Sequence, residues 1–304
     1  MKIDIKSLLY SAVTLSLTAV LAVSCHREPI HEPYSNYYLV LEPNFEALHI
    51  KPSAPGMYEA VFYDKTTHRE VGQSYLGANG GYIYDIAPGS YEMIVYSFDS
   101  GNTDVSGVNN FYDALASTER YKDGDTLSYN APDHLMVARD LDFNIPLVYD
   151  SDEPVYLYAY PKTVVDTWCI VITGIKGLRN AVSMDFYITG QSRSNNIGPN
   201  EISERETTIH FPASVDYQNN RIYTPFCTFG KLPDHVSKLR LVITDPNQQT
   251  IIARADITDQ FDNPENLGHW ILLNFDFEIE ARKDGGMMPD VNEWNDNVFD
   301  YDIF

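Results

Sequence analysis

The sequence is poor in basic residues. Twenty-one Lys and Arg stand against 43 Asp and Glu among 304 residues, so the formal net charge is −22. A surface of this sign repels nucleic-acid phosphates, and no stripe of Lys or Arg offsets the repulsion. The composition therefore excludes nucleic acid as a partner.

The signatures of the common enzyme classes are also missing. The sequence contains no Gly-x-Ser-x-Gly, no P-loop, no Gly-x-Gly-x-x-Gly after a strand and no His-Glu-x-x-His. The eight His are dispersed, and none stands near Cys or carboxylates at the spacing of metal ligands. We therefore expect no catalytic residue, no metal site and no cofactor, in a protein that is not an enzyme.

Long uncharged hydrophobic runs are absent except near the beginning of the chain. Residues 8–23 carry no charge and follow the basic residues Lys2 and Lys6. As a helix this run would reach about 24 Å, which is shorter than the roughly 30 Å hydrocarbon core of a membrane. The pattern is typical of a secretory signal peptide, which we place at residues 1–24.

Cysteine is scarce, and the first of the three cysteines directly follows the predicted signal peptide. Small residues lead into Cys25, which resembles the lipobox of bacterial lipoproteins, although Ala22 stands where Leu is usual. The resemblance implies that Cys25 is lipidated, with palmitate among its acyl chains, and becomes the mature N-terminus. The alternative is a plain signal peptide that is cut near Ala22 and leaves a free thiol.

The residue after Cys25 indicates which membrane would hold the protein. His26 stands where enteric lipoproteins retained in the inner membrane carry Asp, so we expect a lipid anchor in the cell outer membrane, on a surface-exposed protein. Each buried CH₂ of an acyl chain contributes about 0.8 kcal/mol to membrane binding, so two or three chains would hold it firmly. Residues 25–36 are polar and form the lipidated tether.

The two other cysteines, Cys169 and Cys227, both stand inside apolar runs. An oxidising periplasm would permit a disulfide between them. A lone Cys in an apolar strand behaves as a small hydrophobic residue, so we favour two buried thiols over the disulfide.

Strong helical periodicity is missing, and alternation of apolar and polar residues recurs instead. It is clearest in HWILLNFDFEIEA at 269–281, where every second residue is apolar. Strands of this kind follow one another with turn residues between them. They predict an all-β chain of two tandem antiparallel β-sandwich domains.

We place the domain boundary in the acidic, pattern-free stretch before residue 153. The predicted sandwiches cover residues 37–152 and 153–283, and an acidic C-terminal tail covers 284–304. Residues 99–135 are polar and predict a long surface excursion with a short helix around Phe111–Tyr121.

Several motifs together resemble a known family. In order they are the lipobox, IAPGSYEMIVYSFDS at 86–100, WCIVITGIKGL at 168–178 and GGMMPDVNEW at 285–294. This order is similar to a Bacteroidetes lipoprotein family, domain of unknown function 5119, which resembles the fimbrillins. The resemblance covers residues from Cys25 to Trp294.

The resemblance implies a fimbrillin-like subunit of two transthyretin-like β-sandwiches. It also implies a fimbrial anchor, tip or accessory role in adhesion or assembly, with other fimbrial subunits as partners. Shaft fimbrillins are opened by a protease that cuts after Arg or Lys in the first domain. Arg69 is the one candidate in a polar turn, and nothing else marks it as a cleavage site, which favours a role other than the shaft.

Such subunits assemble when a strand of one molecule completes the sheet edge of another. The candidate partner-binding segment is the C-terminal tail. An alternative is a disordered tail, or one that packs on its own domain. The apolar residues that could act as anchors are Val291, Trp294, Val298, Phe299 and Tyr301.

Two further patterns leave alternatives open. Asp125-Thr126-Leu127 fits the short O-glycosylation pattern known across Bacteroidetes, which makes Thr126 a candidate glycosylation site. The sequence also holds 22 Tyr, 14 Phe and three Trp, and aromatic faces stack on sugars. An alternative function is therefore a glycan-binding outer-membrane lipoprotein of a polysaccharide-uptake system, although most of these rings alternate within strands and fit core packing.

Overall fold

A computed structural model describes residues 37–46, 52–98, 100–123, 126–147, 153–282 and 298–303. The predicted signal peptide and tether, Cys25 included, lie outside the described residues. Val291 and Trp294 of the tail lie outside them as well. Within the described ranges no helix is long and apolar enough to cross a membrane.

The described chain is almost entirely β-structure, which confirms the all-β prediction. The strands of the first half are β1 (Tyr37–Leu41), β2 (Met57–Asp64), β3 (Glu70–Gly77), β4 (Gly80–Ile83), β5 (Gly89–Ser97), β6 (Thr103–Ser106), β7 (Leu115–Thr118), β8 (Arg120–Asp123), β9 (Thr126–Asn130), β10 (Met136–Ile145), β11 (Val155–Ala159) and β12 (Lys162–Thr163).

The strands of the second half are β13 (Asp166–Thr173), β14 (Ser183–Ser192), β15 (Ser194–Asn196), β16 (Glu201–Ile202), β17 (Glu206–Pro212), β18 (Val215–Asp216), β19 (Arg221–Thr228), β20 (Lys238–Thr244), β21 (Thr250–Asp256), β22 (Trp270–Asn274) and β23 (Val298–Ile303). A 3-10 turn covers Leu178–Asn180, and one short helix, α1, covers Thr258–Asp262.

The first sandwich is built on an eight-stranded sheet in the order β11-β1-β4-β3-β2-β5-β10-β12. This sheet curls until its two ends meet: the Asn44 N–H donates to the Pro161 carbonyl over 2.8 Å, and Asn44 forms a bridge with Lys162 in β12. Alternate residues of its strands point inward and form one core. Its largest fully buried members are Tyr37, Leu39, Tyr58, Phe62, Ile83 and Met93.

The second sandwich packs the sheet β18-β19-β13-β22 against the seven-stranded sheet β23-β21-β20-β14-β17-β9-β8. Their facing residues form the largest core of the molecule, which includes Ile170, Phe186, Ile222, Leu241 and Ile271. The alternation predicted at 269–281 is confirmed, because Ile271, Phe275, Phe277 and Ile279 are all buried in this core. The fold is therefore a tandem β-sandwich, as the sequence predicts.

Strand pairing is mostly antiparallel, but four pairs in the described chain are parallel. They are β1 with β11, β13 with β22, β9 with β17, and β21 with β23. Each joins strands that are far apart in sequence, so local alternation could not reveal their direction.

The two halves of the chain exchange strands. β8 and β9 belong to the first half but extend a sheet of the second sandwich through the pair Ile209–Tyr129. In return, β15 and β16 extend the small sheet β16-β15-β7-β6, which covers the outer face of the first sandwich. A third core lies beneath this small sheet and includes Ile197, Cys227 and Phe229 from the second half.

This exchange changes the expectation for residues 99–135. The predicted helix around Phe111–Tyr121 does not form; a turn at 111–113 precedes β7 and β8 there. Pairing of β7 with the distant strand β15 stabilises an extended chain where the local sequence allowed either state. Val155–Ala159, which the sequence placed in the second sandwich, pairs in parallel with β1 in the first sheet.

Candidate interaction surfaces

The described part of the tail forms the outermost strand of the seven-stranded sheet. β23 runs parallel to β21 in continuous register, from Val298 opposite Thr250 to Ile303 opposite Ala255. Phe299 and Tyr301 lie on this strand, opposite Ile251 and Ala253. The end of the tail therefore pairs with the chain's own sheet, which was one of the alternatives that the sequence left open.

The edge that β23 occupies is a potential binding site for any extended strand. A strand at the end of a sheet leaves one row of N–H and C=O groups unpaired, and a further strand can complete the ladder. Without β23, the exposed row would belong to β21, whose residues Ile251, Ala253 and Ala255 are buried in the core. A strand from a partner could occupy the same six positions.

Thr126 begins β9 and is paired in register with Asp123, the last residue of β8. The next residue, Leu127, is exposed. The O-glycosylation of Thr126 stays a prediction.

Arg69 is exposed, but its peptide bond is held on both sides. Its carbonyl accepts the N–H of Asp64 over 2.9 Å, and the N–H of Glu70 donates to the Asn109 carbonyl over 3.1 Å. Phe111 adds a further bond, since its N–H donates to the His68 carbonyl over 2.9 Å. Cleavage after Arg69 would require this hairpin to open.

A second candidate surface, which we call the tyrosine face, consists of six tyrosines on the outer face of β11, β1 and β4 or directly after β11 and β4. The members of the tyrosine face are Tyr38, Tyr82, Tyr84, Tyr156, Tyr158 and Tyr160. Five of them are exposed, and Tyr38 in their midst is partly buried.

Strand register brings these rings together. Tyr38 lies opposite Tyr156 on one neighbouring strand and opposite Tyr82 on the other. The ring centroids of Tyr38 and Tyr82 are 5.2 Å apart in an edge-to-face arrangement, and those of Tyr38 and Tyr156 are 5.8 Å apart. Tyr84 extends the row, with its ring centroid 6.3 Å from that of Tyr82.

The residues beside these tyrosine rings are small and carry no charge. Val40 lies opposite Tyr158 on one side and opposite Gly80 on the other. Gly80 has a φ of +114°, and a Cβ there would stand 1.9 Å from the Leu39 carbonyl oxygen, so only glycine fits. Since glycine adds no side chain, the surface is shallow beside the Tyr158 ring.

A polar cleft continues from the tyrosine face. Tyr160, the last tyrosine after β11, lines the cleft together with residues that follow β1. The complete lining is Glu42, Pro43, Asn44, Phe45, Glu46, Tyr160 and Lys162. Carboxylate, amide and ammonium groups thus stand beside an exposed aromatic ring.

The tyrosine face is not predicted from the sequence, although part of its signal is present there. VYLYAY at 155–160 places Tyr at every second position, which predicts that the three share one side of a strand. The pattern could not tell whether that side is buried. Nor could it show that Tyr38 and Tyr82, from distant parts of the chain, would lie beside them.

The buried thiols form no catalytic pair. Cys169 and Cys227 are both free and buried, as favoured from the sequence. The Cys227 Sγ lies 3.7 Å from His134 Nε2, but burial raises the pKa of the Cys227 thiol to about 12 and lowers the pKa of the His134 imidazole. Both groups are therefore neutral near pH 7. Among the described residues, no group of His, Cys, Asp and Glu is arranged to hold a metal ion.

Comparison with known proteins gives one family and several similar folds. A family model described as "Domain of unknown function (DUF5119)" matches residues 24–212, which is more than half of the chain. The predicted motif at 168–178 lies within this range, and the motif at 285–294 lies beyond it. No curated protein matches the sequence.

Solved structures share the fold at low sequence identity. A "putative adhesin" from Bacteroides ovatus ATCC 8483 covers 83% of this chain and 95% of its own length, with a TM-score of 0.59 and 18% identity. The fimbrial anchor protein Mfa2 from Porphyromonas gingivalis covers 78% and 89%, with a TM-score of 0.50 and 12% identity. These likenesses show that the chain has the β-sandwich fold of adhesin and fimbrial proteins.

Proposed function

Because the chain belongs to the family described as "Domain of unknown function (DUF5119)", we propose that it is a fimbrillin-like protein of the cell surface. In this proposal it is a fimbrial anchor, tip or accessory subunit that acts in adhesion or assembly. It binds its partners by strand pairing and is held in the cell outer membrane by acyl chains on Cys25. Its proposed action is binding, as the solved structures with this fold are described as adhesin and fimbrial proteins.

The observation that supports this proposal most directly is the pairing of β23 with β21. A strand from the far end of the chain adds itself in parallel to a sheet edge over six residue pairs. The edge therefore accepts an added strand in this direction, which is what assembly by strand pairing requires. A partner strand could either replace β23 or pair with its free edge.

The hydrogen bonds around Arg69 support an anchor, tip or accessory role over a shaft role. Both groups of the peptide bond that follows Arg69 are hydrogen-bonded. A protease must bind its substrate in an extended form, so this bond is accessible only after local opening. A subunit that needs no such cleavage would present the first sandwich intact.

The test is to isolate surface filaments from the bacterium that carries the protein and to identify the proteins that co-purify. We expect this chain to co-purify with filaments. Deletion of residues 298–304 should release it or change filament length, whereas deletion of residues within the tether should not break the association itself. Absence from every filament, together with normal adhesion after deletion of the whole chain, would refute the proposal.

The lipid anchor requires a separate test. Cells grown with radiolabelled palmitate should incorporate label into the wild-type chain and not into the Cys25→Ala variant. The labelled chain should fractionate with the outer membrane, and protease added to intact cells should degrade it. Label that persists in Cys25→Ala would contradict lipidation at this residue.

The O-glycosylation proposed for Thr126 is tested in the same preparations. The mass of the purified chain should exceed that of the polypeptide with its acyl chains, and Thr126→Ala should remove the excess. Thr250→Ala, which alters a threonine outside the glycosylation pattern, serves as the control. An unchanged mass in Thr126→Ala would show that Thr126 carries no glycan.

A further inference from the structure

We propose that the tyrosine face and the adjoining polar cleft form a binding site for a neutral polysaccharide chain. This inference deepens the adhesion part of the proposed function and rests on it. It supplies the chemical class of ligand that the surface would hold.

The exposure of these tyrosines is not explained by core packing. Tyr156, Tyr158 and Tyr160 are 56%, 50% and 55% exposed, whereas Ala159 between the last two is buried. The side of β11 that faces the core is thus already filled by smaller residues. Three large rings on the opposite side add apolar surface to water without any contribution to the core.

The rings are held in place before any ligand arrives. Tyr38 packs against Tyr82 edge to face, with an interplanar angle of 85°, and against Tyr156 at 56°. Tyrosine also has few rotatable bonds, so ordering it on binding costs little entropy. A surface of this kind suits a ligand that packs against the ring faces and forms hydrogen bonds with the tyrosine hydroxyl groups.

The spacing of the rings suits a linear chain of sugar rings. Tyr156, Tyr158 and Tyr160 follow one another at every second residue, which separates them by about 6.6 Å along the strand. Sugar rings present C–H groups that pack on aromatic faces and hydroxyl groups that point sideways. Successive tyrosines would contact successive sugars, with the shallow floor at Val40 and Gly80 beside them.

Charge favours a neutral ligand over an anionic one. The residues that face outward on these three strands are Tyr38, Val40, Gly80, Tyr82, Tyr156 and Tyr158, none of which is charged. The whole chain carries a formal charge of −22. Anionic lipids and acidic polysaccharides are repelled by that charge, whereas a neutral polysaccharide is not.

The cleft supplies the hydrogen-bonding groups that fix orientation. Glu42, Asn44 and Lys162 line it next to Tyr160. Carboxylate and amide oxygens accept from sugar hydroxyls, and the ammonium and amide N–H groups donate to them. Binding sites of this kind combine an apolar surface with a few polar groups at one end.

The experiment uses the full chain, purified in detergent from outer membranes, in native gels that contain one polysaccharide each. The neutral probes are amylopectin, laminarin, xyloglucan and galactomannan, and polygalacturonate is the acidic comparison. We expect at least one neutral probe to retard the protein and polygalacturonate to have no effect. Failure of all four neutral probes to retard it would overturn the inference.

Variants assign the binding to the tyrosine face. Tyr156→Ala/Tyr158→Ala should weaken binding at least about tenfold, since each stacked ring contributes roughly a factor of several to affinity. Tyr217→Ala, which removes an exposed tyrosine from the second sandwich, should bind as wild type. Equal binding by the double variant would overturn the inference, and thermal unfolding of each variant verifies that the fold is intact.

Two other outcomes would assign this surface differently and so refute the inference. If the protein dimerises in sedimentation experiments and the double variant does not, the tyrosine face is an interface between two copies. Flotation of the Cys25→Ala protein with phosphatidylcholine vesicles, abolished when Tyr156→Ala/Tyr158→Ala is added, would make it a lipid-binding surface. Filament co-purification is recorded for the same variants, so loss of polysaccharide binding alone leaves the assembly role standing.

Discussion

Cys169 and Cys227 lie on the neighbouring strands β13 and β19, and both thiols are buried. Cys227 lies opposite Thr167, and Cys169 lies opposite Pro225, so the two cysteines are diagonal rather than direct neighbours. Burial raises the pKa of both thiols, that of Cys227 to about 12. Since the thiolate is the reactive form, both should be inert in the folded protein.

Titration with a thiol reagent measures both the reactivity of Cys169 and Cys227 and whether the Cys25 thiol is blocked by acylation. Native protein from outer membranes should react with no thiol reagent at pH 8, which lies well below the pKa of Cys227. In urea two thiols should react, because acylation leaves Cys25 as a thioether. A third reactive thiol in urea would contradict lipidation, and rapid reaction of the native protein would contradict the burial of the thiols.

Arg69 shows how hydrogen bonding decides the accessibility of a single peptide bond. We expect an Arg-specific protease to leave the Arg69–Glu70 bond of the native protein intact. Phe111 packs its ring against Tyr63 at a centroid distance of 5.5 Å and donates its N–H to His68, which holds the neighbouring segment. Phe111→Ala should therefore expose the bond and accelerate cleavage, as measured by mass spectrometry of the fragments.

The control for this experiment is Tyr217→Ala, which removes an exposed ring from the second sandwich and leaves Phe111 unchanged. It should leave the cleavage rate within about twofold of wild type, because the buried contact is retained. Fast cleavage of the wild-type protein at Arg69 would contradict the accessory role and favour a shaft subunit.

At the scale of secondary-structure elements, β23 is the segment on whose pairing the proposed assembly depends most. In a parallel pair the N–H groups of successive residues point to opposite sides of the strand. Proline at one of the neighbouring residues Asp300 and Tyr301 therefore removes a bond to β21, and proline at the other removes only an outward N–H. The two variants form a matched pair.

Hydrogen exchange at β21 distinguishes the members of this pair. One of Asp300→Pro and Tyr301→Pro should accelerate amide exchange in residues 250–256, and the other should leave it near the wild-type rate. The reason is that β21 amides facing β23 lose protection when the edge strand separates. Identical exchange in both variants and in wild type would show that β23 does not protect this edge.

At the scale of the whole molecule, the exchange of strands makes the two sandwiches depend on each other. Ile197 and Phe229 come from the second half of the chain and complete a core of the first sandwich. Ile197 is fully buried, and its N–H donates to the Ala114 carbonyl over 2.8 Å. We therefore expect both sandwiches to unfold in one cooperative transition.

Ile197→Ala tests this coupling. The substitution should lower the free energy of unfolding by about 2–5 kcal/mol, as removal of buried methyl groups does in other cores. Ile202→Ala, at a residue that is 36% exposed, should cost well under half of that. Urea unfolding should be followed by circular dichroism, which reports both sandwiches, and by tryptophan fluorescence, since Trp168 and Trp270 lie in the second.

Coincident midpoints for the two probes, shifted together by Ile197→Ala, would confirm the coupling. Two separate transitions, with the fluorescence midpoint unchanged in Ile197→Ala, would show that the sandwiches unfold independently. That result would contradict a single cooperative unit.

Local sequence patterns predicted the parts of the fold that depend on neighbouring residues. The alternation at 269–281 predicted which side of the chain is buried, because side chains on a strand point to opposite faces in turn. The apolar surroundings of Cys169 and Cys227 predicted buried thiols for a similar reason. The prediction for the polar stretch at 99–135 was wrong about its helix, since β7 and β9 within it pair with the distant strands β15 and β17.

The sequence by itself determined the all-β class, the acidic surface and the buried sides of the main strands, since these follow from composition and alternation. Only the tertiary structure decided which distant strands pair, and so it alone brought Tyr38, Tyr82 and Tyr156 together and placed β23 beside β21. The physical reason is that alternation leaves the buried side undecided where both sides of a strand are apolar or aromatic, as in VYLYAY at 155–160. Nor does it select among the sheet edges that one strand could join.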